Sequence, residues 1–380
     1  MENQAIKVPS ELDKVRPCRT GVILGAGLSG TVLAPTLARR SIETHLRGLE
    51  CAVIDSINLL HKNIKDLKGL PLPQEVVNVK DMKTGLGKAD SALVMMPSRS
   101  AQAISRQVDE IVGPDFPSAV CAKGIEEEAG MFMRQVVEEE LKGRPVGVAS
   151  GPIFARETVL DYPTAATVAF PPQPQDRLVP SETARVRLPV TLSTGSFRAY
   201  GSGSVIGVEI DGAVKKMIAI AWGMVSGTGY AENSRAAFIR RGLDEMKLLS
   251  EALVGRRKTG TGLSGVDDLS LTCSNPTSRN MSLGFRLGQG LLRVACFGGK
   301  PIVVEGEMNT NSVTDIANCL AVPMQICQAV DSILRSGVGI GETFAALWSR
   351  PSEAEPRAIQ ISFDSPATPV DFQQLSERIL

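Results

Sequence analysis

Residues Val22 to Thr36 read VILGAGLSGTVLAPT, which sets Gly25, Gly27 and Gly30 where a short apolar strand gives way to a helical segment. A chain that places three glycines there is constrained to a tight strand-turn-helix unit. Gly25 permits the turn, Gly27 lets the backbone approach a pyrophosphate, and Gly30 allows the helix to pack closely on the sheet. The helix N-terminus supplies free N–H groups and partial positive charge for phosphates. Glycine is common here, 36 of 380 residues, so the pattern alone does not separate a dinucleotide site from a plain turn.

At 380 residues the chain exceeds what one core usually supports, and two domains are expected. Lys plus Arg and Asp plus Glu number 41 each, which removes a global electrostatic reason to bind nucleic acid or an anionic membrane. Seven scattered cysteines without a C-x-x-C pair suit a reducing compartment and argue against a zinc site. The longest apolar run, near Met217 to Val225, is far shorter than the ~20 residues of a spanning helix. No secretory or peroxisomal address is recognisable, so a cytoplasmic protein is expected. With only His45 and His61 in the chain, acid and base chemistry falls to Lys, Asp or Glu, and neither a Ser-His-Asp triad nor a metal-histidine site is expected. No G-x-x-x-x-G-K-[ST] motif is present, which excludes a P-loop.

Alternating strands and helices predict a doubly wound α/β domain: strands near Thr44 to Leu46, Ser91 to Met96, Ser118 to Ala122, Val146 to Ala149 and Phe197 to Tyr200, with helices over Thr31 to Arg40, Ala101 to Val112 and Met131 to Leu141. Functional groups collect at the carboxyl ends of such strands, where Gly25, Pro97, Lys123 and Gly151 fall. The proline-rich stretch Pro171 to Pro189 reads as a surface loop. Beyond Val205 helical patterns dominate, at Val214 to Val225, Ala236 to Leu253 and Met281 to Val294. The expected division is a Rossmann-like parallel-sheet domain over 20–204, a mainly α-helical domain over 205–350, and a peripheral tail over 351–380.

Lys215 opens one of the most apolar helices, where burial would lower its pKa toward that of a general base; a snorkelling lysine with its head in water is the alternative. Asp267 and Asp268 together either orient a lysine or cap a helix. Ser278, Arg279 and Asn280 at a helix start form a compact receptor for a phosphate dianion or an ordinary cap. Lys123 at a strand end either neutralises a substrate oxygen or is an ordinary exposed lysine, the simpler reading.

Together these segments resemble the NAD(P)-dependent glycerol-3-phosphate dehydrogenase family from Gly21 to about Arg350. The ordered matches are GAGLSGTVLA (Gly25 to Ala34), KGIE (Lys123 to Glu126), SGPIFA (Ser150 to Ala155), VIGVEIDGAVKK (Val205 to Lys216), NSRAAFIRRGLDEM (Asn233 to Met246), DLSLTC (Asp268 to Cys273), SRN (Ser278 to Asn280), LGQGL (Leu287 to Leu291) and VVEG (Val303 to Gly306). The resemblance implies reversible hydride transfer between NAD or NADP and carbon 2 of sn-glycerol 3-phosphate, in a homodimer. It implies Lys215 as proton acceptor, with Lys123 and Asp268 as its catalytic partners. Substrate contacts would come from Lys123, Gly151, Lys215, Asp268, Ser278, Arg279 and Asn280. Cofactor contacts would come from Gly25, Gly27, Leu28, Ser29, Gly30, Pro97, Lys123, Ala155, Arg279, Val303 and Glu305, and no metal is implied.

The chain departs from the family pattern at Leu28-Ser29, Ile153, Lys216, Asp267 and Glu307, close to ligand-facing motifs. Two alternatives therefore stand beside an active enzyme: a relative acting on another small hydroxy acid or phosphorylated alcohol, and a nucleotide-binding module with impaired turnover. NAD and NADP are not separated, because Glu43, Glu50 or Asp55 could meet ribose hydroxyls while Arg47 could meet a 2′-phosphate.

Overall fold

The computed structural model describes residues 15–40, 42–96, 98–127 and 129–349, with two short strands beyond them. The first compact unit comprises 1–212 and 258–268, and the second comprises 213–257 and 269–380. Helix α9 (Val205–Gly227) begins in the first and continues into the second.

The first unit is built on an eight-stranded sheet. Its strands are β1 (Thr20–Leu24), β2 (Glu43–Arg47), β3 (Val76–Val79), β4 (Ser91–Val94), β5 (Ser118–Val120), β6 (Val146–Ser150), β7 (Thr164–Ala169) and β8 (Phe197–Ser202). They lie in the order β3-β2-β1-β4-β5-β6-β7-β8. The first six are mutually parallel, β7 runs antiparallel to β6, and β8 is parallel to β7. This is the doubly wound order whose direction reverses at β1, leaving a crevice at the carboxyl ends of β1 and β4.

Both sheet faces are covered, so β1 and β4 are buried at every residue. On one face Ile23 packs with Val32, Leu33 and Leu37 of α1 (Leu28–Ala38) and with Val53 and Ile57 of α2 (Cys51–Leu60). On the other, Leu24 packs with Met82 and Leu86 of α3 (Met82–Leu86), Ile104 and Val108 of α4 (Ser98–Asp109), and Val136 and Val137 of α5 (Met133–Glu140). The helix α6 (Ala155–Val159) follows β6.

The stretch Pro171 to Pro189 is not the loop that its prolines suggest. It holds α7 (Gln175–Leu178), a 3-10 turn (Pro180–Glu182) and α8 (Ala184–Leu192), whose Leu188 and Leu192 join the core. Pro189, the sixth of nine residues in α8, has no N–H to donate to the Arg185 carbonyl, while its own carbonyl accepts from Ser193 N at 3.0 Å. β3 and β7 also lie outside the strands expected from sequence. The returning segment 258–268 bonds within this unit, with Thr259 Oγ1 donating to Ser204 Oγ at 2.6 Å and Ser264 Oγ to Asp211 Oδ2 at 2.8 Å.

The second unit is helical: the rest of α9, then α10 (Glu232–Ala252), α11 (Asp268–Ser274, after its first residue), α12 (Arg279–Gly288), α13 (Glu305–Met308), α14 (Thr310–Cys319), α15 (Gln325–Ser336) and α16 (Ile340–Trp348). Met217 through Ala221, Met224 and Val225 have no exposed surface, as expected of a helix that is apolar all round. Gly223 and Gly227 of α9 meet Gly284 and Gly288 of α12 with backbones in contact: a methyl on Gly284 would sit 2.0 Å from Ile220 O. Of the tail, only the antiparallel pair Ser352–Glu353 and Ser362–Phe363 is described. Among the described residues, no helix is long and apolar enough to cross a membrane.

Glu245 of α10 is buried and caps α15 by accepting from Ile326 N at 2.6 Å and Cys327 N at 3.2 Å. Burial pushes its pKa from 4.5 up to about 7. The folded state then holds this proton more tightly than the unfolded chain, so the associated stability is full below 4.5 and is lost as pH rises through about 7. Glu245→Gln, which keeps an acceptor without the titration, is expected to flatten the fall in melting temperature between about pH 5 and 8. Thermal denaturation across that range checks it; an unchanged pH slope contradicts it.

Candidate active site

At the end of β1 the chain turns with Gly25 at φ +127, a conformation that side-chain-bearing residues rarely adopt. A Cβ on Gly30 would lie 1.9 Å from Gly25 O, so the helix touches the turn and nothing larger than glycine fits. A Cβ on Gly27 would meet nothing within 4 Å. Gly25 thus supplies dihedral freedom and Gly30 close packing, while Gly27 borders open space. No side chain caps α1, its first turn carries no acid, and Leu28 and Ser29 are exposed. A pyrophosphate fits such a terminus, since its oxygens complete the hydrogen bonds the first turn leaves open.

Met95 N donates to Leu24 O at 3.0 Å and Cys121 N to Val94 O at 2.9 Å, which aligns the carboxyl ends of β1, β4 and β5. Pro97 lies outside the described residues. Three residues past β5, Lys123 Nζ donates to Asp268 Oδ2 at 2.8 Å and approaches Gly151 O at 3.4 Å. Asp268 is 3% exposed, while its neighbour Asp267 is exposed at the end of the π-helical turn Leu263–Asp267. Of the two adjacent carboxylates, Asp268 alone orients Lys123. Gly151 is buried, and a Cβ there would lie 2.8 Å from Ala166 Cα. Ile153 and Ala155 pack against the core beside β6. A small cavity beside Lys123 is lined by Gly124, Ser150, Glu209 and Gly212. Burial lifts Glu209 to about 7 against the opposing charge of Arg134, whose backbone N–H it accepts at 3.1 Å.

In the second unit, Lys215 is 5% and Lys216 4% exposed on α9. Lys215 Nζ donates to Thr272 Oγ1 at 3.2 Å, and Lys216 forms an ion pair with Glu305. Gly306 N donates to Asn280 Oδ1 at 2.9 Å, and Arg279 Nη1 to Val303 O at 3.1 Å. These bonds draw Arg279, Asn280, Val303 and Glu305 into one cluster at the start of α12 and α13. Ser278 caps α12 by accepting from Met281 N at 3.3 Å. Glu307, a departure from the family pattern, is held in a bidentate pair with Arg293, at 2.7 Å from Nε and from Nη2.

Two thiols flank the lysines. Burial pushes Cys121 and Cys273 up to about 12 despite the nearby charges of Lys123 and Lys215, so neither supplies a thiolate near neutral pH. His45 is buried against Gly85 O, and His61 ends α2 in the left-handed region; both are packing residues. Sequence reasoning did not foresee the ion pairing of Lys216 and Glu305, because no local signal links residues 89 positions apart.

Two family models match the chain: the NAD-dependent glycerol-3-phosphate dehydrogenase N-terminus over residues 22–175 and C-terminus over 204–345. A glycerol-3-phosphate dehydrogenase (NAD(P)+) of Hyphomonas neptunium is 36% identical over 337 residues, 89% of this chain and 97% of that protein. One of Caulobacter vibrioides is 36% identical over 333 residues, 88% and 98% of the two chains. The crystal structure of glycerol-3-phosphate dehydrogenase from Coxiella burnetii superposes with a TM-score of 0.77 at 30% identity, covering 87% of this chain and 99% of that one.

The glycine geometry separates stability from binding. Gly27→Val is expected to leave the melting temperature within a few degrees while weakening dinucleotide affinity by about tenfold or more, because the added atoms occupy the phosphate approach. Gly30→Ala is expected to lower the melting temperature by about 5 degrees or more through its clash with Gly25 O. Calorimetric melting and dinucleotide titration check both, and Gly27→Val binding at parental affinity contradicts the assignment.

Proposed function

The chain belongs to the NAD-dependent glycerol-3-phosphate dehydrogenase family, and from that premise we propose that it interconverts sn-glycerol 3-phosphate and dihydroxyacetone phosphate with Lys215 as the general base. The burial of Lys215 on an apolar helix carries the assignment of the base. A general base must stand within hydrogen-bond reach of the proton it takes, and the bond to the Thr272 hydroxyl fixes where Nζ stands. In the oxidising direction Lys215 Nζ takes the proton of the C2 hydroxyl as the C2–H bond breaks with its electron pair, and the C2–O bond becomes a carbonyl. In the reducing direction it returns that proton. The bound nicotinamide supplies the acceptor or donor of the hydride.

Lys123, fixed by Asp268, is positioned to neutralise charge on the substrate oxygen, and Gly151 O sets the direction of its ammonium. Arg279 and Asn280, with Ser278, are the proposed phosphate ligands. Asn280 spends its carbonyl on Gly306 N and keeps two N–H groups to donate, while the Ser278 hydroxyl accepts from α12 and keeps one. Holding the phosphate fixes the distance from C2 to the hydride carrier. Gly25, Gly27, Leu28, Ser29, Gly30, Lys123 and Ala155, together with Arg279, Val303 and Glu305, are the proposed cofactor contacts. Work as a cytoplasmic homodimer belongs to the same proposal; all seven cysteines are free, in keeping with a reducing compartment.

Purified protein with dihydroxyacetone phosphate is expected to oxidise NADPH or NADH. Lys215→Met is expected to lose turnover by about a hundredfold or more while still binding the nucleotide. A variant that turns over like the parent overturns the base assignment. Parent protein that binds a nucleotide but turns over neither cofactor favours a binding module instead.

A further inference from the structure

The peptide that joins Ala26 to Gly27 has a glycine on either side of Ala26, and a Cβ on Gly27 would meet nothing within 4 Å. Glycines at both positions leave that peptide little steric resistance to rotation. In a trans peptide the C=O and the N–H point to opposite sides, so whatever holds the Ala26 carbonyl also decides where the Gly27 N–H is aimed.

Two side chains hold that carbonyl. Asn63 Nδ2 donates to Ala26 O at 3.1 Å and to Thr31 Oγ1 at 2.9 Å, and Thr31 Oγ1 donates to Ala26 O at 3.3 Å. Neither Asn63 nor Thr31 has exposed surface. At its other end the amide is engaged as well: Asn63 Oδ1 accepts from Lys65 N at 3.1 Å and from Asp66 N at 2.9 Å. Backbone N–H groups only donate and a carbonyl only accepts, so these partners allow a single orientation of the amide.

Asn63 stands at the base of the loop that joins α2 to β3. His61 takes the left-handed conformation that ends α2, Lys62 bridges to Pro71, and Leu72 N donates to His61 O at 2.8 Å, which closes the loop on itself. Leu67, Leu70 and Leu72 of that loop join the core that also holds Val32 and Leu33 of α1. The leucines anchor the loop, and the Asn63 amide carries that anchorage to the glycine turn.

We propose that Asn63, together with Thr31, is a positioning residue for cofactor binding, holding the Ala26 carbonyl inward and so aiming the Gly27 N–H at the pyrophosphate. This rests on the dinucleotide assignment of the glycine turn. Asn63→Asp keeps the acceptor for Lys65 and Asp66 and removes the amide donor, while Thr31→Val removes the hydroxyl alone. Thr191→Val is the control: Thr191 Oγ1 accepts from Cys18 N at 2.8 Å, a buried bond on α8 rather than on the turn. NADH and NADPH are titrated calorimetrically into each full-length protein, melting temperatures are recorded, and kcat and KM are measured with dihydroxyacetone phosphate. Both turn variants are expected to bind the parent's preferred cofactor about tenfold more weakly and to raise its KM to match, with kcat at saturating cofactor and the KM for dihydroxyacetone phosphate within about twofold of the parent. The control is expected to melt lower than the parent and to keep its cofactor affinity. Parental affinity in either folded turn variant, a loss confined to kcat, or an equal loss of affinity in Thr191→Val overturns the proposal while leaving the glycine turn as a nucleotide site; Thr31→Val decides alone if Asn63→Asp does not fold. Folded parent protein that binds neither cofactor overturns the dinucleotide assignment and this proposal with it.

Discussion

Contact between a strand end and a helix start at Gly25 and Gly30 is the constraint on which the rest depends. Because α1 touches the turn with backbone alone, its first peptide groups face outward with no side chain across them. The doubly wound order then sets that terminus at the point where strands diverge to either side of β1. Arg47 on one side and Lys123 on the other follow from this placement, since each stands at or just beyond the carboxyl end of a parallel strand.

Buried positive charge is the second organising element. Lys123 and Lys216 are neutralised by Asp268 and Glu305, and Lys215 meets the hydroxyl of Thr272. Asp268 is buried and Lys123 half-buried, so removing the lysine leaves an uncompensated carboxylate in the interior, which ties the geometry of Lys123 to Asp268. The adjacent thiols stay protonated near neutral pH, so sulfur supplies no base beside the lysines.

Much of this was legible in sequence because it is local. Gly25, Gly27 and Gly30 carry their geometry in their spacing, and the apolar runs at Ser91 and Val146 mark buried parallel strands. β3 was missed because Val76-Val77-Asn78-Val79 is short and alternates buried with less buried positions after a proline. β7 was missed because Thr164-Ala165-Ala166-Thr167-Val168-Ala169 is alanine-rich and depends on pairing with β6 and β8 for its extension. The prolines before Pro189 concealed α8, whose place is set by Leu188 and Leu192 in the core rather than by helix propensity. The Lys123–Asp268 bond spans 145 positions; no periodicity in either segment reports it, although each residue drew attention for its own setting.

Hydride transfer is the central claim, and isotope transfer tests it most directly. The protein would be incubated with dihydroxyacetone phosphate and a reduced nicotinamide cofactor carrying two deuterium atoms on the ring carbon that donates the hydride, and the product analysed by mass spectrometry. The account predicts glycerol 3-phosphate carrying a single deuterium at C2. Consumption of the cofactor with no label at C2, or no consumption by folded protein that binds the cofactor, would contradict it.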